Sequence, residues 1–288
     1  MTLSVNSEVG VIIPTIERFF PCVSRLVDSI RKNWGMQISI YIGVQGRKTS
    51  EITQFSKDHS LSTFFLPYDC GLSVARNFLV RQVREPFILI ADDDYVILPE
   101  TNLAAAVKFL KSQSTIMILG GAYSTCFSDG TVRFENFASQ MYLDEQNHLL
   151  ISVPVAYLDL PHNSFESYHY IICDMVNNIA LINKQVFTNY GFYWDEQFKI
   201  RGEHEDFFLT IKQANKFQVA YSDCLIVDHC RVTSPVYHEL RSRKEGAFTF
   251  LKKWNLRQHL FIGRKNIHAD YQVGTIIKDP WKQLDDYR

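Results

Sequence analysis

The first 120 residues switch repeatedly between two hydrophobic periods, and this switching narrows the choice of fold more than any other feature. Val9–Pro14 is a β-branched run stopped by proline, which reads as a buried strand. Phe19, Phe20, Val23, Leu26, Val27 and Ile30 then recur at spacings of three and four, the stripe of an amphipathic helix. Ile38–Val44 and Ser62–Pro67 return to strand character, Gly71–Val83 to a helical pattern, and Phe87–Ala91 to a strand. A helix over Leu103–Lys111 and a strand over Ile116–Gly120 follow. Such alternation predicts an α/β chain with a mostly parallel central sheet covered by helices on both faces. In these sheets ligands bind beyond the carboxyl ends of the strands. Pro14-Thr15, Tyr68-Asp69 and the triplet Asp92-Asp93-Asp94 each follow such an end, so three loops are expected to converge on one crevice.

The second half changes character. Residues 121–170 carry short alternating stretches, with Phe127–Gly130 reading as a hairpin turn. Helical patterns return at Lys184–Asn189 and Glu205–Ala214, and two strand-like runs, "FQVAYS" and "CLIVDH", lead to His229. Beyond Arg231 the chain reads as basic loop and short helices. Residues 231–266 hold nine Lys/Arg and two acidic residues, although the formal net charge of the whole chain is -1. That stretch is either a solvated surface or a site for phosphates or an anionic acceptor. The overall balance predicts no general attraction to nucleic acid. The six cysteines are scattered without a C-x-x-C pair, which fits a reducing compartment. No secretory signal is visible, and no apolar run approaches the roughly 18 residues of a transmembrane helix. The expectation is a cytoplasmic chain, free or peripheral at a membrane.

Three adjacent carboxylates at the end of a buried strand repel one another, and local folding does not ask for them. Clustered aspartates are hard oxygen ligands suited to Mg²⁺ or Mn²⁺, and such an ion can bridge a diphosphate. The competing reading is a solvated acidic turn. A second acidic group, Glu203, Glu205 and Asp206, lies at a helix onset; a capping box accounts for one such carboxylate but not for three in four residues.

"VIIPT", "GLSVARN", "ADDDYV", "WDEQF…GEHEDFFL" and "VDH" occur in that order. As an ordered set over residues 9–230 they resemble the nucleotide-sugar-dependent glycosyltransferases of the GT-A fold, especially the inverting family 2 type. The stretch from "DMVNNIALI" to "VDH" is also similar to the β1,4-N-acetylgalactosaminyltransferases that build gangliosides. The resemblance implies a GT-A domain over 1–230, with a nucleotide-sugar-binding half (1–120) and an acceptor-binding half (121–230), and a basic extension (231–288) acting as lid or acceptor platform. It implies transfer of a HexNAc or hexose from a UDP-sugar to a glycan or glycolipid hydroxyl, with inversion and with Mn²⁺ or Mg²⁺ as cofactor. Pro14, Thr15 and Glu17 would meet the nucleotide, Glu17 doubling as a helix-start carboxylate. Asp69 would bond the base or ribose and Arg76 the nucleotide, with Asn77 structural. Asp92 and Asp94 form the D-x-D pair and would bind the metal with His229; Asp93 takes either part, and Asp228 orients or joins the set. Asp174 and Asn178 would touch the donor sugar. Asp206 would be the general base, with Glu205 supporting it or binding acceptor, and Glu203 the weaker candidate. Trp194 either stacks on the acceptor or packs in the core.

Two enzymatic rivals lack their signatures. A sugar-nucleotide pyrophosphorylase needs a glycine-rich basic loop after the first strand, where "PTIERFFP" has no glycine; an Asp-nucleophile phosphatase needs D-x-D-x-T, and "DDDYV" has no threonine. A non-catalytic binding module would tolerate loss of carboxylates that this chain retains.

Overall fold

The structure, a computed structural model, describes residues 5–126, 132–135, 137–262 and 267–272. The turn expected at Phe127–Gly130 lies outside them. In chain order the elements are β1 (Val9–Thr15), α1 (Ser24–Trp34), β2 (Ser39–Gln45), α2 (Ser50–Asp58), β3 (Ser62–Leu66), α3 (Leu72–Gln82), β4 (Phe87–Ile90), β5 (Tyr95–Ile97), α4 (Leu103–Ser112), β6 (Ile116–Cys126), β7 (Val132–Glu135), β8 (Ser139–Asp144) and β9 (Leu149–Pro154). There follow β10 (Asn163–Phe165), β11 (Tyr168–Cys173), β12 (Ala180–Asn183), α5 (Gln185–Thr188), α6 (Glu203–Ala214), β13 (Gln218–His229), α7 (Pro235–Ser242), α8 (Glu245–Lys253), β14 (Gln258–Ile262) and β15 (Ile267–Gln272).

The main sheet has the order β10-β11-β13-β6-β12-β4-β1-β2-β3, with β5 added to β13 and β7 to β6. The pairings β4-β1-β2-β3 and β6-β13 are parallel; β12 and β11 run against their neighbours. The α/β architecture is therefore as expected, a mostly parallel central sheet flanked by helices. Period-two alternation divides its core. Val9, Val11 and Ile13 face the layer containing Leu26, Val27 and Ile30 of α1, whereas Ile12 faces Leu79 and Val80 of α3. Both faces of β1 are covered, so the strand is apolar throughout, and each such side chain contributes about 1.5–3 kcal/mol by leaving water. The stripe beginning at Phe19 is not one regular helix. A π-helical turn, Phe19–Val23, precedes α1, and Phe20 is left 47% exposed.

Two local features carry the chain to the site. The register of β13 against β6 shifts between Tyr221 and Ile226, where Gly121 passes so close to Leu225 that a Cβ would lie 2.0 Å from its carbonyl oxygen. Beyond the shift β13 pairs with β5, setting His229 opposite Tyr95. Gly202, at φ 83°, starts α6 in the left-handed region and lets α8 approach, since a Cβ there would meet the Gly246 carbonyl oxygen at 2.9 Å.

A second, mixed sheet has the order β15-β14-β9-β8. Its β14 runs parallel to β9, with Gln258 opposite Leu149. The basic stretch after residue 230 thus supplies α7, α8 and two strands rather than only loop and short helices.

Candidate functional site

The carboxyl ends of β1, β2, β4, β6 and β13 open onto a cavity of about 680 Å³. Thr15, Gln45, Asp92, Tyr123 and His229 reach it from those ends. The opposite walls come from the start of α6, from Asn177 and Asn178, from the edge of the second sheet, and from Arg231, Tyr237, Arg241 and Arg243. Asp69 and Arg201 on its rim hold left-handed φ angles of 53° and 63°, backbone strain of the kind that clusters around binding sites.

The triplet is a wired group. Arg18 reaches across from the loop after β1, pairing with Asp93 and donating to Asp94 Oδ2 at 2.9 Å. Thr15 Oγ1 donates to Asp93 Oδ2 at 2.6 Å. Asp93 is 4% exposed, and burial pushes its carboxyl up to about 7 against the pull of Arg18. For Asp94 burial acts the same way, but the hydrogen bond from His229 and the Arg18 charge outweigh it and hold the carboxyl below its usual range. Asp92 is held from behind: Arg76 Nη2 lies 3.3 Å from Oδ1, and Asn178 Nδ2 donates to Oδ2 at 3.0 Å.

His229 Nε2 lies 3.4 Å from Asp94 Oδ2, with its ring against Tyr95 and Tyr123. Two ligands each about 2.1 Å from one ion are about 3.4 Å apart at a tetrahedral angle and about 3.0 Å apart at an octahedral one, so the pair is near the spacing of a shared ion. Asp92 faces Arg76 and Asn178. Among the described residues no group of three His, Cys, Asp or Glu could hold a metal, and of the three expected ligands Asp94 and His229 are the two that lie together. A carboxylate–imidazole pair beside open space fits a divalent ion that completes its shell with phosphate oxygens and water, not a closed structural site. Asp228 accepts a hydrogen bond from Ser124 and is not among the residues lining the cavity.

The other expected residues divide sharply. Pro14, Thr15, Asp69, Asn178 and Glu205 border the cavity. Glu17 is exposed and pairs with Tyr68 outside it. Arg76, 1% exposed, sits behind Asp92 and over Trp194 at 5.4 Å, so it positions Asp92 and does not line the space a nucleotide would enter. Trp194 belongs to the core, 2% exposed and stacked on Phe207 at 4.5 Å; an acceptor sugar has no access to it. Asn77 is structural, clasping the Trp194 backbone through both ends of its amide. Asp174 points elsewhere, accepting from Met141 N at 2.7 Å and Lys212 Nζ at 2.6 Å.

Asp206, expected as the general base, lies apart from the cavity. It is 2% exposed and does not line the cavity; Lys253 Nζ at 2.9 Å and Trp254 Nε1 at 2.8 Å, both from the end of α8, take its two oxygens. Burial raises its carboxyl against the effect of Lys253. Glu203, one turn earlier, does line the cavity, is 6% exposed, and its Oε2 is buried without a hydrogen-bond partner. Asn177 was not anticipated at all: it borders the cavity at 5% exposure with both amide atoms unpartnered.

The basic segment closes one side of the cavity. Arg243 clasps Asp69 with both terminal nitrogens at 2.8 Å, and that hydrogen bonding holds Asp69 below its usual pKa despite partial burial. Arg18 donates to the Val232 carbonyl at 3.0 Å and lies 3.7 Å from the Tyr237 ring centre, and Arg25 donates to the Cys230 carbonyl at 2.7 Å.

Residues 10–167 match the family described as Glycosyl transferase family 2. No curated protein matches the chain. Among solved structures the chain is similar to GalNAc-T7 with UDP, GalNAc and Mn²⁺, at 14% identity and a TM-score of 0.58 over 86% of this chain and 54% of that one. It is similar to TarS of S. aureus at 15% identity and a TM-score of 0.52, over 81% of this chain and 38% of that one. The mannosyltransferase PcManGT from Pyrobaculum calidifontis, in complex with GDP-Man and Mn²⁺, gives 13% identity and a TM-score of 0.52 over 81% and 59%. The chain thus spans between about two fifths and three fifths of the length of these structures. The shared architecture is the GT-A fold.

Proposed function

The chain belongs to glycosyl transferase family 2, and from that premise we propose that it moves a HexNAc or hexose from a UDP-sugar to a hydroxyl of a glycan or glycolipid, inverting the anomeric carbon to form a β-linkage. The observation that carries this reading is one cavity, at the carboxyl ends of parallel strands, that the Asp94–His229 pair and the carboxylate Glu203 at the start of α6 border together.

Asp94 and His229 would hold Mn²⁺ or Mg²⁺, which supplies positive charge against a leaving diphosphate. The remaining steps belong to the chain. Pro14, Thr15 and Asp69 border the end of the cavity suited to the nucleotide, where Asp92, held by Arg76 and Asn178, would face the ribose. Glu203 takes the proton of the acceptor hydroxyl as that oxygen attacks the anomeric carbon; the bond from this carbon to the diphosphate oxygen breaks, and UDP departs. Because the leaving group carries its own negative charge, it needs no proton from the protein. Glu205 lies on the same wall and is placed to meet the acceptor. Segment 231–244 acts as the lid, excluding water while the sugar is transferred.

UDP release should be measured with UDP-glucose, UDP-galactose, UDP-GlcNAc and UDP-GalNAc, with Mn²⁺ and with chelator. Metal-dependent release from at least one of them supports the reading; release from none, with or without added oligosaccharide, refutes it.

A further inference from the structure

Buried amides without partners are rare, because a lost hydrogen bond in the interior costs on the order of 1–3 kcal/mol per group. Asn177 leaves both Oδ1 and Nδ2 unpartnered at 5% exposure, on the cavity wall. Its neighbour Asn178 has the same side chain but spends its Nδ2 on Asp92, leaving its Oδ1 alone unpartnered. Two adjacent asparagines are thus divided between a fixed task and an open one.

The backbone around Asn177 is held on both sides. Asp174 N and Met175 N donate to the Ser139 carbonyl, and Ser139 N returns a bond to Met175 O at 3.0 Å. Val176 is fully buried against Gly120, and its carbonyl bonds the ring of His204, a neutral imidazole whose pKa burial lowers to about 3. After Asn178, Gly121 N donates to the Ile179 carbonyl at 2.8 Å. The backbone that carries the amide is therefore preorganised.

Resting on the nucleotide-sugar reading, we propose that Asn177 is a specificity residue that binds two neighbouring hydroxyls of the transferred sugar. A hydroxyl both donates and accepts, so a vicinal pair meets the Oδ1 acceptor and the Nδ2 donor of one amide together. Phosphate oxygens offer acceptors alone and would leave Oδ1 unsatisfied. The position also selects the donor sugar over the acceptor. Asn178 ties the segment to Asp92, two residues before Asp94, so Asn177 borders the cavity at the end where the diphosphate and the sugar joined to it would be held. A site built to bond a hydroxyl discriminates strongly against a substrate lacking it, since the buried amide then stays unpaired.

Calorimetric titration of wild type, Asn177→Ala and Asn177→Asp with UDP and with the four UDP-sugars above, in Mn²⁺, tests this. UDP affinity should stay within about twofold in both variants, which also reports that they fold. Affinity for the preferred UDP-sugar should fall about tenfold or more in Asn177→Ala, the scale of one lost polar contact. A deoxy analogue lacking one of the paired hydroxyls should bind wild type more weakly than the parent sugar, with that difference abolished in Asn177→Ala. Equal losses for UDP and UDP-sugar, unchanged UDP-sugar binding, or a defect confined to acceptor KM would each overturn the assignment while leaving the nucleotide-sugar reading in place. If wild type binds neither UDP nor any of the four sugars, that reading falls and the assignment with it.

Discussion

Arg243 and Asp69 form a two-pronged ion pair across the mouth of the cavity, each terminal guanidinium nitrogen 2.8 Å from a carboxylate oxygen. One partner lies in the loop after β3 and the other between α7 and α8, so the contact fastens the basic segment over the crevice.

Arg243→Ala should loosen this fastening. Both side chains are half-buried, and a bidentate pair of this kind is worth on the order of 1 kcal/mol. Limited trypsin digestion within residues 231–244 should be faster in the variant. In wild type, UDP with Mn²⁺ should slow it. Equal cleavage with and without ligand would exclude a lid.

Mn²⁺ should tighten UDP binding in wild type, and Asp94→Ala or His229→Ala should remove about tenfold or more of that gain, as loss of a metal contact does. Asp92→Asn should retain the metal response, because both Asp92 oxygens face Arg76 and Asn178. Titration calorimetry with and without chelator separates the three variants.

Glu203→Gln keeps the shape of the side chain and removes its basicity. Transfer should fall by about 10²–10⁴ with UDP binding nearly intact, the usual worth of a positioned base. Asp206→Asn should instead act on stability, since it leaves Lys253 and Trp254 facing a neutral amide. A loss of about 1–3 kcal/mol is expected, read as a lower Tm with the transfer rate retained. The opposite pairing of effects would return the base to Asp206.

His259 has no solvent exposure; its Nε2 lies 2.8 Å from Ser152 Oγ, and burial lowers its pKa to about 3. The unfolded chain takes up a proton at this residue as pH falls through about 6.5, and the folded chain does not, so folding loses stability over the window from about 6.5 down to about 3. His204 adds to this loss, while Asp93, raised to about 7, opposes it by holding a proton only when folded. Comparison with His259→Asn cancels those other groups. Urea denaturation between pH 6.5 and 4.5 should show the variant's stability falling less steeply than wild type by about 1.4 kcal/mol per pH unit, the equivalent of one proton. Parallel slopes would mean that His259 titrates normally.

The fold class and the location of the crevice were legible in the amino-acid sequence because both depend on local periodicity. Val9–Thr15, Ser39–Gln45 and Phe87–Ile90 alternate with helical stripes, and in such sheets the strand ends are where ligands bind. The Asp triplet and His229 stood out for the same reason, each following directly from a strand. Side-chain direction was another matter. Glu203, His204 and Glu205 border the cavity at the first turn of α6, whereas Asp206, about 100° around the helix from Glu205, faces α8, which covers it. That cover comes from Lys253 and Trp254, nearly fifty residues downstream, and no local pattern announces it. Arg76 and Trp194 turned inward for a related reason: Arg76 of α3 lies over Trp194, which stacks on Phe207 of α6, contacts that only the tertiary fold makes. In a run of two asparagines the sequence cannot distinguish the amide that bonds Asp92 from the one left open, because the difference arises from which atoms the folded chain brings within hydrogen-bonding distance.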